Sequence, residues 1–271
     1  MNSSGTFLTW NVQRRTTLLE EQAKWVLERE PDVLCLQEVT PRALLGWSHR
    51  LKDAGYHVAA SALVPHTGRR LGVLIASRLP FTCAEPLAAA PWPERLLIAD
   101  VQVRAWPQTV RVVCLHAPTR GNSVEAKIRT FEAVSASLVA LDDHVPAILC
   151  GDLNAPQTEA SDGTITTFGQ TLKGAVRGGS GAREDRAERT ILSGPTGWHD
   201  AYRELHRHEP FKPSWEAKTG QGCGFRLDHM LLSPHFKAVE CAYDHSVRPR
   251  LSDHSAMYAT IELVATHPVA A

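Results

Sequence analysis

The chain has 271 residues, 43% apolar and 21% charged, with 29 basic residues balanced by 29 acidic ones and a pI near 7.2. That is ample for a large core, and the balance excludes a uniformly basic nucleic-acid binder while leaving room for a local basic patch. No apolar run reaches the roughly 18 residues that a membrane span needs.

In chain order, Met1 to Gly5 lacks a basic segment followed by an apolar one, so no secretory leader is read and the expected location is cytoplasmic. Phe7–Trp10 reads as a first strand. Leu18, Leu19, Ala23, Val26 and Leu27 recur at helical spacing, with Pro31 as a stop. Asp32–Leu36 is an apolar run with turn chemistry at its ends, a buried strand. Leu44, Leu45, Leu51 and Ala54 mark a second helix, capped by Gly55. Leu71–Ala76, Leu96–Val103 and Val110–Leu115 read as consecutive strands with antiparallel pairing, the second showing Leu97, Ala99, Val101 and Val103 on one face. Asn122 with Glu125 forms a capping-box-like start to a helix that runs to about Leu141, and Ala147–Cys150 is the next strand. From Gln157 to Thr196 regularity weakens. The glycine-rich run Lys173–Arg183, with three positive charges and no acid, reads as a mobile surface loop, with a phosphate-binding loop as the alternative. Arg226–Leu232, Ala238–Tyr243 and Ser255–Leu263 return to strands. The cysteines, Cys35, Cys83, Cys114, Cys150, Cys223 and Cys241, show neither a Cys-x-x-Cys pair nor zinc spacing and read as free thiols in a reducing compartment. Without a linker or a repeat, residues 1–271 are expected to form one α+β domain of two packed sheets with outer helices.

The chemistry sits at strand ends. Gly151-Asp152-Leu153-Asn154 follows the run Ala147–Cys150, and the spacing of two puts Asp152 and Asn154 on one face of an extended chain. A potential base beside a neutral amide suits the positioning of a water near an anion, although Gly, Asp and Asn are also turn formers. Asn11 follows Trp10, Gln37 and Glu38 follow Leu36, His116 follows Leu115, Asp228 interrupts an apolar strand, and Ser252-Asp253-His254 opens the last one. Glu38, Asn11 and Asp253 offer hard oxygen ligands suited to Mg²⁺ or Mn²⁺. Asp228 and His254 are candidates for an aspartate–histidine pair whose imidazolium stabilises a developing negative charge.

Taken in order, Thr9-Trp10-Asn11, Leu36-Gln37-Glu38, Gly151-Asp152-Leu153-Asn154, Arg226-Leu227-Asp228 and Ser252-Asp253-His254 together resemble the endonuclease/exonuclease/phosphatase superfamily. The resemblance implies a four-layer α/β/β/α sandwich of two mixed sheets face to face, with the site at one edge. It implies that Glu38 binds an essential divalent metal, Mg²⁺ or Mn²⁺, with Asn11 nearby and Asp253 as a further metal or supporting group. Asp152 would orient or deprotonate the attacking water, Asn154 would help hold it, and His254 paired with Asp228 would contact the phosphate.

Within the superfamily, the stretch Gly224–Ser233 is similar to the exonuclease III-type abasic-site endonucleases. Phe225 takes the place of an aromatic residue that helps wall the pocket for the base-free sugar, and Asp200–Leu205 followed by Ser214-Trp215 is also similar. His116 and the Leu36–Val39 wording look more like the superfamily's phosphatases and tyrosyl-DNA phosphodiesterases. There His116 would contact the phosphate or protonate the leaving oxygen, and Arg120 would clamp a phosphate. The expected function is therefore a metal-dependent phosphodiesterase acting on DNA as a monomer, an exonuclease III-like nuclease or abasic-site endonuclease of DNA repair. The alternative is a relative acting on a tyrosyl-DNA end, a small-molecule phosphoester or a lipid phosphoester. A catalytically dead binding module is disfavoured by the full set of polar residues.

Overall fold

A computed structural model describes residues 4–61, 71–207, 209–210, 212–216 and 224–264. Cys223 and the first three residues of the N-terminal reading lie outside the described residues. The elements are β1 (Ser4–Asn11), α1 (Leu19–Leu27), β2 (Val33–Val39), α2 (Pro41–Asp53), β3 (His57–Ala60), β4 (Gly72–Ser77), β5 (Phe81–Cys83), β6 (Leu96–Val101), β7 (Val110–His116), α3 (Val124–Val139) and β8 (Ala147–Asp152). They continue with β9 (Thr158–Glu159), β10 (Ile165–Thr166), α4 (Gly181–Ser193), β11 (His199–Asp200), α5 (Ala201–Leu205), β12 (Trp215–Glu216), β13 (Gly224–Phe225), β14 (Asp228–Leu232), β15 (Phe236–Asp244) and β16 (Ala256–Leu263).

Two six-stranded mixed sheets carry the fold, in the orders β15-β16-β1-β2-β4-β3 and β11-β14-β8-β7-β6-β5. Three apolar layers hold them. Phe7, Val33, Cys35 and Ile75 of the first sheet meet Ala99, Val112, Cys114, Ile148 and Met230 of the second. On the outer side of the first sheet, Leu8, Trp10, Leu34 and Leu36 pack against Ala23 and Val26 of α1 and Ala43, Trp47 and Leu51 of α2. On the outer side of the second, Val113, Leu115 and Leu149 pack against Ile128, Phe131, Val134 and Leu138 of α3 and Ile191 of α4. The central strands are apolar on both faces because both faces are covered, which is why they read as continuous runs. The α+β sandwich expected from the sequence is the observed architecture.

Several local expectations change. β4 does not lie beside β6; it pairs with β2 and β3 in the other sheet, because the pairing partner of a buried strand is chosen by tertiary packing. The single apolar face read for Leu97–Val103 is not single, since Leu96 and Ile98 are also buried, beneath the helical layer. Helix α3 is capped by Ser123, whose hydroxyl accepts from Ala126 N at 3.1 Å, while Asn122 is bound by the Thr119 hydroxyl. Leu45 of α2 is exposed. The glycine-rich run is a tight turn, closed by Thr171 N to Ala175 O at 2.8 Å, followed by the first turn of α4. Two of its three cations are spent within the protein, Arg177 on the Phe168 and Gln170 carbonyls and Arg183 on Glu125 and Glu132.

Candidate active site

Sheet register brings the polar strand ends together. On the second sheet Asp152 is opposite His116 of parallel β7 and opposite Asp228 of antiparallel β14. On the first, Asn11 of β1 is opposite Gln37 of β2, and Glu38 follows. The pairing of β2 with β4 shifts between Leu36 and Val39, a bulge with one extra residue that re-aims Glu38. The Ser252–His254 segment is stapled beside them by Ser252 Oγ donating to Asn11 O at 2.7 Å and Trp10 Nε1 donating to His254 O at 3.1 Å. One cleft is thus lined by Glu38, His116, Asp152, Asn154, Asp253 and His254, with Arg120, Trp215 and Phe225 at its walls.

Backbone strain marks the same place. Among the described residues, the non-glycine positions with positive φ are Gln13, Arg14, Glu30, Glu38 and Asn154, at 52°, 53°, 45°, 58° and 48°. All except Glu30 line this cleft. Such conformations are unfavourable for side-chain-bearing residues and persist where surrounding contacts over-determine them, typically at functional sites. Gly151 is also special: at φ 134° it packs so closely on β7 that an added Cβ would lie 2.0 Å from Leu115 O.

Asp152 is buried and accepts from Asn11 Nδ2 and from Asn154 N, both at 2.9 Å. Burial pushes its carboxyl up to about 7, aided by the nearby Asp228 charge and opposed by His254 and these hydrogen bonds. Asn154 donates through Nδ2 to Ala117 O at 2.8 Å, and its carbonyl is gripped by the buried Lys127 Nζ at 2.8 Å, itself paired with Glu188 of α4. His254 Nδ1 donates to Asp228 Oδ2 at 2.8 Å, and its Nε2 lies 3.7 Å from Asp152 Oδ2. Burial alone would depress this imidazole, but the Asp228 and Asp152 carboxylates push it up to about 10, so it is an imidazolium at neutral pH. Ser214 Oγ donates to the same Asp228 oxygen at 2.6 Å. His116 is the opposite case: burial, then the positive charges of Arg95, His254 and Arg14, hold it well below the usual imidazole range, and it is neutral. Its Nε2 lies 3.7 Å from Glu38 Oε1 and 3.8 Å from Asp152 Oδ2.

For a cation, the donor set is informative. Glu38 Oε2 and Asp253 Oδ1 are buried atoms with no hydrogen-bond partner, and the Glu38 oxygen meets Arg14 Nε at 3.3 Å. Donor atoms of Asp152, Asp228 and His254 also lie within 4.8 Å of one another, a group able to hold a metal ion. Between those three a cation would compete with the His254 proton, whereas Glu38 offers a carboxylate oxygen held only by the ion pair with the exposed Arg14.

The walls are aromatic. Trp215 stacks on Phe225 with ring centroids 5.7 Å apart and planes 7° apart, and Phe168 meets Phe225 edge-on at 5.6 Å. Trp215 Nε1 also donates to Asp253 Oδ2 at 3.3 Å. Arg120 borders the cleft, but its guanidinium is paired with the buried Glu184 and donates to Phe168 O, which runs against its reading as a phosphate clamp. The sequence reading did not single out Gln13, Arg14, Lys127 or Phe168. Two successive arginines three residues beyond the Asn11 strand end were the available signal for Arg14; Lys127 inside a helix gave none.

The Endonuclease/Exonuclease/phosphatase family model matches residues 8–254. Among solved structures, the chain is similar to an AP endonuclease from Archaeoglobus fulgidus, at 26% identity over 94% of this chain and 98% of that one, with a TM-score of 0.71. It shares its fold with the AP endonuclease LMAP from Leishmania major, at 19% identity over 96% and 88% of the two chains and a TM-score of 0.71. TDP2 from D. rerio, complexed with single strand DNA product, likewise shares the fold at 17% identity over 96% and 100%, with a TM-score of 0.69. With the family model matched from Leu8 to His254, the chain belongs to the endonuclease/exonuclease/phosphatase family and is a phosphoric-ester hydrolase.

Proposed function

We propose that the chain is a Mg²⁺- or Mn²⁺-dependent phosphodiesterase acting on DNA, of the abasic-site endonuclease or exonuclease III-like kind. The observation that carries this reading is the opposition of a carboxyl near neutrality, Asp152, and an imidazolium, His254, whose facing atoms are 3.7 Å apart. Two titratable groups pushed apart in this way divide the roles of base and charge stabiliser. Asp152 takes the proton of an attacking water that Asn154 helps to orient. His254, its ring oriented and its charge held by Asp228, hydrogen-bonds the phosphoryl oxygen that gains charge. Neutral His116 contacts the phosphate or the leaving oxygen. Glu38 would hold the cation with the Asn11 amide and Asp253 beside it, and the cation when bound neutralises charge on the phosphoryl group.

The DNA assignment draws on the AP endonuclease from Archaeoglobus fulgidus, similar over nearly the whole of both chains. It also draws on the flat Trp215–Phe225 stack, which suits a base-free sugar or an unstacked base. The second reading, a tyrosyl-DNA end or small phosphoester, draws on His116 in the cleft. Among the described residues no helix is long and apolar enough to cross a membrane. Buried free Cys35, Cys114, Cys150 and Cys241 and exposed Cys83, among the described residues, suit a reducing cytoplasm. In this reading the chain works as one catalytic domain and as a monomer.

The test is a substrate panel with Mg²⁺, with and without chelator: duplex DNA with an abasic site, plain duplex, single strand, a 5′-tyrosyl end and an inositol phosphate. Cleavage at the abasic site, lost with chelator, is the expected result. Faster turnover of the tyrosyl end or the inositol phosphate would replace this reading with the second, and no turnover of any phosphoester would end both.

A further inference from the structure

Arg14 is an arginine in a backbone conformation that favours glycine, with φ 53° directly after Gln13 at 52°. The turn is held by its neighbours: Gln13 N donates to Asn11 Oδ1 at 2.9 Å, and Arg15 Nε donates to Gln13 Oε1 at 2.9 Å. A glycine would hold the same turn with less strain, so the side chain is there for its charge. The turn aims that charge at the cleft, where Arg14 Nε lies 3.3 Å from Glu38 Oε2 while its side chain remains 63% exposed. That Glu38 oxygen has no hydrogen-bond partner. Resting on the reading of Glu38 as cation anchor, we propose that Arg14 is a substrate-phosphate-binding residue, stored on Glu38 until a divalent cation takes that carboxylate.

A guanidinium and a divalent cation on the same carboxylate oxygen repel one another. Entry of the cation therefore frees Arg14 at the mouth of a cleft whose incoming ligand is an anion. A guanidinium fork matches two phosphoryl oxygens and, being exposed on a long stem, it swings without rearranging the core. The same exchange lowers the unproductive pull of Arg14 on Glu38 in step with substrate binding, so cation and phosphodiester favour one another.

The proposal makes two effects of opposite sign. In Arg14→Gly, Mn²⁺ titrated calorimetrically into the substrate-free protein binds about two- to fivefold tighter, the size of an exposed ion pair. In the same variant KM for duplex DNA with an abasic site rises about tenfold, with a smaller change in kcat, as for a lost ground-state and transition-state contact. A residue that merely shaped the loop would weaken both or neither. Arg14→Lys keeps the charge and stays near wild type in the Mn²⁺ titration. Unchanged or weaker Mn²⁺ binding in Arg14→Gly, or an Arg14→Lys as tight as Arg14→Gly, overturns storage on Glu38. Unchanged KM overturns the phosphate contact. Wild-type protein that binds no Mn²⁺ fails at the Glu38 reading itself, a result distinct from each of these.

Discussion

Strand β14 and the residues just before it touch two buried polar clusters that solve the same problem in opposite ways. In one, Arg226 donates to Glu159 at 2.6 Å and to Asp200 at 2.8 Å, His229 meets Asp200 at 3.0 Å, and Arg203 pairs with Glu159. Two residues further on, Asp228 enters the cleft with His254 and Asp152. The first cluster meets each carboxylate with arginine; the second leaves Glu38 Oε2, Asp228 Oδ1, Asp253 Oδ1 and His116 Nδ1 without hydrogen bonds. The aspartates diverge accordingly. Burial alone would raise both, yet Arg226 and His229 hold the Asp200 carboxyl well below its usual range, whereas Asp152 is pushed up to about 7. Burial of charge is common to structure and site; what separates them is carboxylate oxygens left without hydrogen bonds, three in the cleft and none on Glu159 or Asp200.

Paired substitutions would break this contrast if it is misplaced. Asp152→Asn should lower turnover of the abasic-site duplex by roughly 10²- to 10⁴-fold, the range for a lost general base. Its thermal unfolding midpoint at pH 8 should be no lower, because the variant removes a buried carboxylate that folding disfavours. Asp200→Asn should do the reverse, costing about 3 kcal/mol in chemical denaturation by removing one of the two carboxylates that meet the buried Arg226, with turnover per folded molecule retained. A smaller effect lies in pH. The depressed Asp200 carboxyl contributes stability that is present above its ordinary pKa near 3.8 and lost as pH falls further. Activity instead should rise through about 7 as Asp152 deprotonates and fall through about 10 as His254 loses its proton. The bell belongs to the coupled pair rather than to one residue. Activity that is flat from pH 6 to 9 would remove the assignment of Asp152 and His254.

The cleft was legible where a polar residue interrupts an apolar run. Asp152 after Cys150 and Asp228 before Met230 break the pattern because a carboxylate beside a core strand needs a partner. Pairing between distant segments was not legible: β4 and β6 both read as strands, and nothing in either run names its partner in the sheet. Helix α4 was missed because its core face amounts to Ala187 and Ile191, and its other buried positions are Gly181, Glu184 and Glu188. A buried glutamate reads as surface until its partner, Arg120 or Lys127, is found. Glu38 was legible as a residue type, while the bulge that turns it into the cleft depends on the register with β4.

Gly151 sets the spacing between the ends of β7 and β8 that border the cleft, since even a methyl group there would collide with the Leu115 carbonyl. Alanine at this point would act as a wedge, and its displacement would fall on the very next residue, Asp152. The reach of the Asp152 carboxyl into the cleft is thus gauged by backbone touching backbone. Attempts to widen the substrate range of this scaffold should vary the aromatic walls and leave that contact alone.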